Sequence, residues 1–412
     1  MDHHEPAVDG AAVNDIRIVD LTDESAVFAT RVLADLGADV VRVEPPDGGR
    51  VRRRAPFLHD TPGAERSLYH LYHNANKRSV VLDIDDADQR HTLRKLLANA
   101  DVLVETAPPG SMAEKGLGYD DLRKVNPSLV YVSVTPFGQS SPWAHRRAND
   151  LVAQAAGGLA YVTGHRDDPP SQSGGDQAYK MASLAAATGV MVALAGRDAD
   201  GDSAGAHLDI SIQECVAMSV VQTSNPNHYA WRGHVPTRPG LTAVHRCDDG
   251  GWVTMNVAAN RTGAFLEWVQ GAGIETEHTV ESLRGRDAAP LLHGLVRTLA
   301  TMYSRDQFLK EAWKRDIWSL PVNTLPDLVT CDHLIATEQF VDVEHEHLGV
   351  TLSFPRSPVD VMGDVVIRRA PLLGEHTDEV FAEWGVWGRS TKAAPGHMER
   401  HRGAPPYRAG PH

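Results

Sequence analysis

The stretch from Ile16 to Glu44 reads IRIVDLTDESAVFATRVLADLGADVVRVE, and its pattern decides the fold class. The apolar segment Ile16–Leu21 predicts a strand. The segment Val27–Leu36 has helical spacing and stops at Gly37, a residue typical of helix C-termini. A second apolar segment, Asp39–Glu44, predicts another strand. Strand, helix and strand joined by short connections predict a βαβ unit with parallel strands.

The same alternation continues along the first half of the chain. Further strands are predicted at Ser79–Ile84, Asp101–Glu105, Leu129–Val134 and His207–Ile212. Helices are predicted at Asp86–Asn99, Asp120–Val125, Asp150–Gly158 and Gln177–Leu194. We therefore expect an α/β fold, in which helices cover both faces of a mainly parallel sheet.

The 412 residues are enough for two to three domains. Changes in residue composition suggest where these domains begin and end, since a passage rich in Pro, Asn and Gly separates the first half of the chain from a smaller unit. We expect a loose leader at 1–14, the first part of a large domain at 15–224, a linker at 225–240, a small α+β domain at 241–325, a return segment completing the large domain at 326–388, and a disordered tail at 389–412.

Composition excludes several classes of function. The chain has 40 basic and 54 acidic residues and a net charge of −14, which argues against a nucleic-acid partner. The longest apolar stretch, Met181–Leu194, is shorter than the roughly 18–20 residues that span a bilayer. The N-terminus has no signal-peptide pattern. Cys215, Cys247 and Cys331 lie far apart, so neither disulfides nor a CxxC metal site is expected. A cytoplasmic protein without a membrane partner is predicted.

Two common motifs are missing or misleading. The loop Thr22–Val27 after the first strand has no GxGxxG fingerprint, and the chain has no P-loop, so dinucleotide and P-loop chemistry lose support. The run Glu344-His345-Glu346-His347 resembles a metal site, but contiguous side chains diverge in strands and helices. We predict a solvated turn there and no metal. Cys215, in an apolar helical stretch, is predicted to be a buried structural thiol.

A basic run stands beside Gly48-Gly49. It contains Arg50, Arg52, Arg53 and Arg54, and Lys77-Arg78 forms a second basic pair. Such a run is compatible with a solvated loop. It is also compatible with an anion site, because guanidinium groups fit phosphate.

Asp176 directly follows Gly174-Gly175 and directly precedes a predicted helix. One interpretation is an ordinary N-cap. The other is a carboxylate nucleophile, because two glycines allow close approach of a substrate and free N–H groups could stabilise an oxyanion.

Several segments taken in order carry a family resemblance. They are residues 32–46, 74–83, 116–119, 126–133, 150–158 and 369–377. Each segment alone is a weak signal, but their common order over residues 16–388 is a strong one. On these segments the chain resembles the family III CoA-transferases, the CaiB/BaiF-like family that includes formyl-CoA transferase and carnitine CoA-transferase.

The resemblance implies a specific reaction and assembly. The family's catalytic Asp follows a Gly before an Ala-rich helix, which matches Gly175-Asp176. That carboxylate attacks an acyl-CoA thioester, giving first a mixed anhydride and then an aspartyl-CoA thioester. The substrates are an acyl-CoA and a carboxylic acid, and no tightly bound cofactor is expected. A Rossmann-like large domain and an interlocked homodimer, with the site near the subunit boundary, are also implied.

The resemblance also assigns substrate and CoA contacts. They are Ser25, Arg53, Arg54, Leu82, Asp83, Ile84, Thr106, Ala107, Pro108, Phe137, Arg147, Asn149, Gly174 and Gly175. The chain departs from the family pattern at Glu114, where a CoA-binding Arg is common, and at Thr135-Pro136-Phe137, where Ser-Gly-Phe is usual. These departures bear on the pose of CoA.

Two other functions remain open. One is an α-methylacyl-CoA racemase of the same fold, which needs two opposed acid–base groups. The racemases have a His at the position that directly precedes Asp150 in this chain. Asn149 stands there and cannot exchange protons, which disfavours the racemase. A non-catalytic CoA-binding paralogue would explain the departures, but the chain retains Gly175-Asp176.

Overall fold

The computed structural model describes residues 13–165, 167–200, 204–220, 243–284, 288–359 and 367–387. The predicted linker at 225–240, the tail at 389–412 and nearly all of the leader at 1–14 lie outside the described residues.

The large domain is built on a six-stranded parallel sheet with the order β3-β2-β1-β4-β5-β6. Its strands are β1 Arg17–Leu21, β2 Asp39–Glu44, β3 Arg78–Val81, β4 Val102–Glu105, β5 Val130–Thr135 and β6 His207–Ser211. This is the strand order of Rossmann folds. The predicted α/β class with a parallel Rossmann-like sheet is therefore confirmed.

Helices cover both faces of this sheet. The helices of the large domain are α1 Val27–Asp35, α2 Leu68–His73, α3 Ala87–Leu97, α4 Ser111–Glu114, α5 Tyr119–Leu122, α6 Asp150–Ala156, α7 Leu159–Val162, α8 Gln177–Asp200 and α9 Ile212–Ser219. Alternate residues of each strand face opposite sides. Ile18 thus joins the core under α1 and α8, whereas its neighbour Val19 joins the core under α3.

Two strands of the large sheet end earlier than predicted. The strand β3 ends at Val81, so Leu82, Asp83 and Ile84 follow the strand rather than form its end. The strand β6 ends at Ser211, whose side chain accepts a hydrogen bond from the Glu214 N–H and caps α9.

The helix α8 is longer than predicted. Its segment Gln177–Arg197 has a mean hydropathy of 1.4 and could cross a membrane by length and composition alone, which corrects the expectation that no apolar run is long enough. One such helix is weak evidence, because core helices of soluble proteins have the same properties. Here Ala178, Ala182, Ala186 and Val190 are buried against the sheet and α1.

The small unit has a three-stranded antiparallel sheet of β7 Val244–Arg246, β8 Trp252–Asn256 and β9 Trp318–Pro321. Its helices are α10 Thr262–Gly271, α11 Ala288–Ala300 and α12 Arg305–Lys314. Alternate strand residues such as Val253 and Met255 face these helices and form its core with Phe265 and Trp268.

The remaining described residues include two short helices, a hairpin and a last helix. These are α13 Leu325–Val329, α14 Asp332–Ala336, β10 Phe340–His345, β11 Val350–Pro355 and α15 Thr377–Glu383. The end of this segment packs on the large domain, where Trp384 is buried and donates to Asp39 of β2 over 3.1 Å. His345 is also fully buried, so the prediction of a solvated turn was wrong at that residue.

Candidate active site

The candidate site lies at the carboxyl ends of the parallel strands, where ligands of open α/β sheets bind. The loop after β1 is tied to the loop after β4, because the Asp23 N–H donates to Thr106 Oγ1 over 2.8 Å. Ser25 donates to the Asp23 carboxylate through both its N–H and its hydroxyl. These bonds fix the path of the first loop beneath Glu24.

Asp176 occupies a strained turn before α8. Its φ is 53°, and that of Gly175 is 80°, so two consecutive residues adopt left-handed conformations. An N-cap residue has an extended backbone and accepts a hydrogen bond from the first helical turn. The Asp176 carbonyl accepts the Lys180 N–H over 3.0 Å, as at an N-cap position, but its backbone is left-handed. Within the described residues its side chain accepts no backbone N–H, so the structure disfavours an ordinary side-chain N-cap.

Arg54 is the ion-pair partner of Asp176. Its Nη2 donates to Asp176 Oδ2 over 2.7 Å, and about a third of its side chain is exposed. Its guanidinium also lies 4.2 Å from the ring centre of Tyr69, in cation–π geometry. The Tyr69 hydroxyl donates to the Glu24 carbonyl over 3.2 Å. Burial raises the pKa of Tyr69, so the phenol stays neutral beneath the guanidinium.

A cavity of about 350 Å³ lies beside this pair, lined by Glu24, Arg50, Arg53 and Arg54. Arg50 pairs with Glu24 Oε1 over 2.8 Å, and Arg53 pairs with the exposed Asp47. The second oxygen of Glu24, Oε2, is buried and has no hydrogen-bond partner among the described residues. Three guanidinium groups make this cavity suitable for an anionic ligand despite the acidic net charge of the chain.

Arg52 differs from the other arginines of the run. It is fully buried and binds both carboxylate oxygens of Glu44, at 2.9 and 2.8 Å, as well as Glu65 and the Pro371 carbonyl. It thereby joins β2 to the C-terminal segment. Both the solvated-loop and the anion-site interpretations are wrong for Arg52.

The second basic pair is structural as well. Lys77 Nζ is buried and donates to Asp20, Thr30, Asn74 and the Val27 carbonyl. Arg78 pairs with Asp39 and with two glutamates of α15. Neither side chain is available to a ligand.

Two side chains of α6 hold the loop that contains Gly174 and Gly175. Gln154 donates to the Ser173 carbonyl over 3.1 Å and accepts from the Ser173 N–H over 2.9 Å. Asp150 is buried and accepts from Gln154, Gln172 and the Tyr179 N–H. Gln154 and Asp150 thus fix both sides of the Gly174-Gly175 loop.

The other predicted contacts follow the same edge of the sheet. Leu82 is buried, and its N–H donates to the Glu44 carbonyl, while the Asp83 N–H donates to Gln89. Ile84 and Ala107 pack on the core under α3. Pro108 accepts from Ser111 through its carbonyl. Their binding of CoA stays a prediction.

The residues after β5 make mainly local structural contacts. Phe137 is buried and packs edge-on against Trp143 at 5.4 Å. Asn149 caps α6 by accepting from the Val152 N–H over 3.0 Å. Arg147 is exposed. The structure brings Arg54, Gly174 and Gly175 next to Asp176, with Arg53 on the adjoining cavity.

Sequence reasoning missed several residues of this region. Tyr69, Glu24 and Gln154 lie in no chemical motif, and only their contacts reveal them.

Glu105 was also missed. It is buried at the end of β4 and accepts the Ala107 N–H over 2.6 Å. Burial raises the pKa of Glu105 to about 7, against the opposing effect of the Ser133 and Ala107 hydrogen bonds. A charged residue ending an apolar strand was the available signal.

No metal ligand set is present in the parts of the chain that the structure describes. Cys215 and Cys247 are buried, and burial raises the pKa of both thiols, that of Cys247 to about 11. Cys215 is therefore a structural thiol, as predicted.

Comparisons with known proteins show which family the chain belongs to. The family model described as CoA-transferase family III matches residues 13–377. A subunit of succinyl-CoA:(R)-benzylsuccinate CoA-transferase from Thauera aromatica is 29% identical, over 90% of this chain and 93% of that protein. The succinyl-CoA–L-malate CoA-transferase beta subunit of Chloroflexus aurantiacus is 30% identical, over 89% and 93%. A solved CaiB/BaiF family protein from Brucella suis superposes with a TM-score of 0.77 at 26% identity, covering 91% of this chain and all of that one. The chain therefore belongs to CoA-transferase family III.

Proposed function

We propose that this CoA-transferase works through covalent catalysis on Asp176. The observation that carries the proposal is the placement of this carboxylate. It stands in a left-handed turn after two glycines, is about a quarter exposed, and is held by Arg54 through Oδ2 alone. Among the described residues Oδ1 has no hydrogen-bond donor. This oxygen is free to attack.

The bonds made and broken balance over the two halves of the reaction. Asp176 attacks the thioester carbon, so a C–O bond forms, the C–S bond breaks and CoA leaves as a thiolate. The thiolate then attacks the Asp176 Cγ and releases the donor acid as a carboxylate. The acceptor carboxylate attacks the resulting aspartyl-CoA thioester and frees the thiolate, which takes the acceptor acyl group and restores Asp176. No oxidant, reductant or metal is needed.

We propose succinyl-CoA as the donor class and a dicarboxylic acid as the acceptor. Two similar relatives carry succinyl-CoA in their names, with benzylsuccinate and L-malate as the acids. The cavity lined by Arg50 and Arg53 fits anionic groups of the substrates, including the CoA phosphates. The predicted contacts after β3, β4 and β5 lie along the same edge of the sheet, where CoA would extend. Arg147 is exposed there and available to a phosphate.

We also propose that the active form is a homodimer. The outer face of the small sheet carries Trp252, Trp318 and Leu320, which are 46%, 68% and 63% exposed. Large apolar side chains exposed together on one sheet face are typical of an interaction surface. A second copy of the chain is the partner that the family resemblance implies.

The racemase alternative is not favoured. The position before Asp150 holds Asn149, whose side-chain oxygen caps α6. An amide cannot donate and accept the α-proton on the face opposite a catalytic carboxylate.

The mechanism is tested first with Asp176→Asn. Asn adopts left-handed conformations readily, so the turn is kept while the nucleophile is removed. We expect transfer between succinyl-CoA and L-malate to fall at least about 1,000-fold. Asp120→Asn, at a side chain 85% exposed on α5, is the matched control and should act like wild type.

A trapping experiment identifies the intermediate. Wild type incubated with succinyl-CoA and then hydroxylamine should yield a hydroxamate on Asp176 in peptide mass spectrometry. Transfer at near wild-type rate by Asp176→Asn would refute the covalent mechanism.

A further inference from the structure

The guanidinium of Arg54 is held independently of its ion pair. It stacks 4.2 Å from the Tyr69 ring centre, and Tyr69 is itself anchored through its hydroxyl to the Glu24 carbonyl. Glu24 Oε1 is already paired with Arg50. Within the described part of the chain, Asp176 provides the one ion pair of Arg54. The guanidinium therefore stays in place if Asp176 loses its charge.

Covalent catalysis removes that charge in every turnover. Asp176 is an anion in the resting enzyme, but as an anhydride or thioester its carboxyl group is neutral. Arg54 then has no direct ion pair among the described residues, although the Glu24 carboxylate still acts on it through space and its side chain stays about one-third exposed. A partly buried guanidinium that has lost its direct ion pair attracts an external carboxylate, which it can bind through two parallel hydrogen bonds.

We propose that Arg54 binds the reacting carboxylate of the acid substrate, and that acylation of Asp176 opens this site. The inference rests on the covalent mechanism proposed above. It assigns to Arg54 the recognition of the acid rather than of a CoA phosphate. Any carboxylic acid, with one or two carboxylates, has the group required.

The position of Arg54 suits an attack on the intermediate. Its Nη2 lies 2.7 Å from Asp176 Oδ2, an atom bonded directly to Cγ. A carboxylate that pairs with this guanidinium is therefore placed beside Cγ, the carbon that the acceptor attacks. The same contact can hold the donor acid as the CoA thiolate releases it, since that acid leaves from the same carbon.

The resting ion pair also imposes an order on binding. As long as Asp176 is charged, it occupies Arg54 and repels another carboxylate. The free acid should therefore bind weakly to the resting enzyme and more tightly after the acyl-CoA has reacted. This arrangement prevents a free acid from blocking the nucleophile.

Equilibrium binding tests the inference without turnover. Asp176→Asn mimics the neutral acylated side chain at the same backbone conformation. We expect succinate, measured by calorimetry, to bind Asp176→Asn at least about ten-fold more tightly than wild type, because charge-assisted hydrogen bonds are worth this much or more. The double variant Asp176→Asn/Arg54→Gln should lose that gain. Asp120→Asn should bind as wild type does.

Kinetics separates the acid from CoA. Arg54→Gln should raise the KM of L-malate about 10- to 100-fold while the KM of succinyl-CoA changes little, and Arg54→Lys should recover part of the loss. The variant Arg123→Gln, at an exposed position just after α5, controls for the loss of one positive charge. A rise in the KM of succinyl-CoA alone would assign Arg54 to CoA and overturn the inference.

The outcomes distinguish this inference from the covalent mechanism. Equal succinate affinity in wild type and Asp176→Asn, including undetectable binding in both, overturns the role of Arg54. It leaves the mechanism intact if the Asp176 hydroxamate forms in wild type. Absence of that hydroxamate, with transfer retained in Asp176→Asn, overturns the mechanism itself.

Discussion

A carboxylate nucleophile has to be held in place without being enclosed, and Asp176 meets this condition through one ion pair and a strained backbone. Its position after two glycines could be recognised in the sequence. Its partner could not, because Arg54 lies 122 residues away in the chain. The left-handed φ of 53° was equally hidden, since Asp before a helix usually indicates a cap. Local patterns identify the reactive group, whereas its electrostatic environment depends on tertiary contacts.

Glu105 provides a second prediction at the scale of a residue. The pKa of Glu105 in the folded state is about 7, above the ordinary value of 4.5. Between these two pH values the folded state holds a proton that the unfolded state has lost. Its contribution to stability is therefore complete below pH 4.5 and disappears as the pH rises through 7. Glu105→Gln imitates the protonated form and keeps an acceptor for the Ala107 N–H. We expect the Tm of this variant to be higher than that of wild type at pH 8 and equal to it at pH 4.5.

Thermal unfolding followed by circular dichroism at the two pH values measures this effect. Glu114→Gln, at an exposed position, is the control for removing one negative charge. A Tm difference between Glu105→Gln and wild type that is the same at both pH values would contradict the raised pKa.

At the scale of elements, apolar runs located the strands of the large sheet because parallel strands are buried on both faces. The strand Asp39–Glu44 has the predicted bounds. The end of β6 was misplaced because Ile212 continues the apolar alternation. Yet Ser211 and Glu214 form an S-x-x-E pattern, a helix-start signal that outweighs the alternation. The chemistry of the cap decided the boundary.

The last helix offers a prediction about packing. Trp384, just after α15, is 1% exposed, lies in the core under α3 and donates to Asp39 over 3.1 Å. Replacing a buried Trp by Ala typically costs about 3–5 kcal/mol. We expect Trp384→Ala to lower the free energy of unfolding in urea by that amount. Trp387→Ala, at a side chain 51% exposed, should cost less than about 1 kcal/mol. A loss below about 1 kcal/mol in Trp384→Ala as well would show that the packing of this Trp contributes little.

At the scale of the molecule, the charge around the candidate site is opposite in sign to the net charge of the chain. The chain carries a net charge of −14, yet three arginines line the cavity beside Asp176. The arginine run drew attention to this region in the sequence. Only the structure separates Arg54, at the nucleophile, from the buried Arg52, because burial is set by Glu44 and by Pro371, which lies 319 residues away from Arg52. Composition predicts the need for a basic site, and tertiary contacts decide its members.

The assembly provides the last prediction. The outer face of β8 and β9 exposes Trp252, Trp318 and Leu320, while the inner face of the same strands builds the core of the small unit. Covering three large apolar side chains favours association, and an obligate interface would leave no folded monomer on dilution. We expect light scattering to give twice the chain mass of 44.8 kDa at micromolar concentration, and sedimentation with a fluorescent label to give the same at nanomolar concentration.

The variant Trp318→Asp/Leu320→Asp, refolded from urea, should fail to form this dimer, because two buried charges without partners oppose assembly. Met302→Asp, at a half-exposed position outside this face, should assemble normally. An active, folded wild-type species near 44.8 kDa at nanomolar concentration would refute the dimer, and normal assembly of the double variant would place the interface elsewhere.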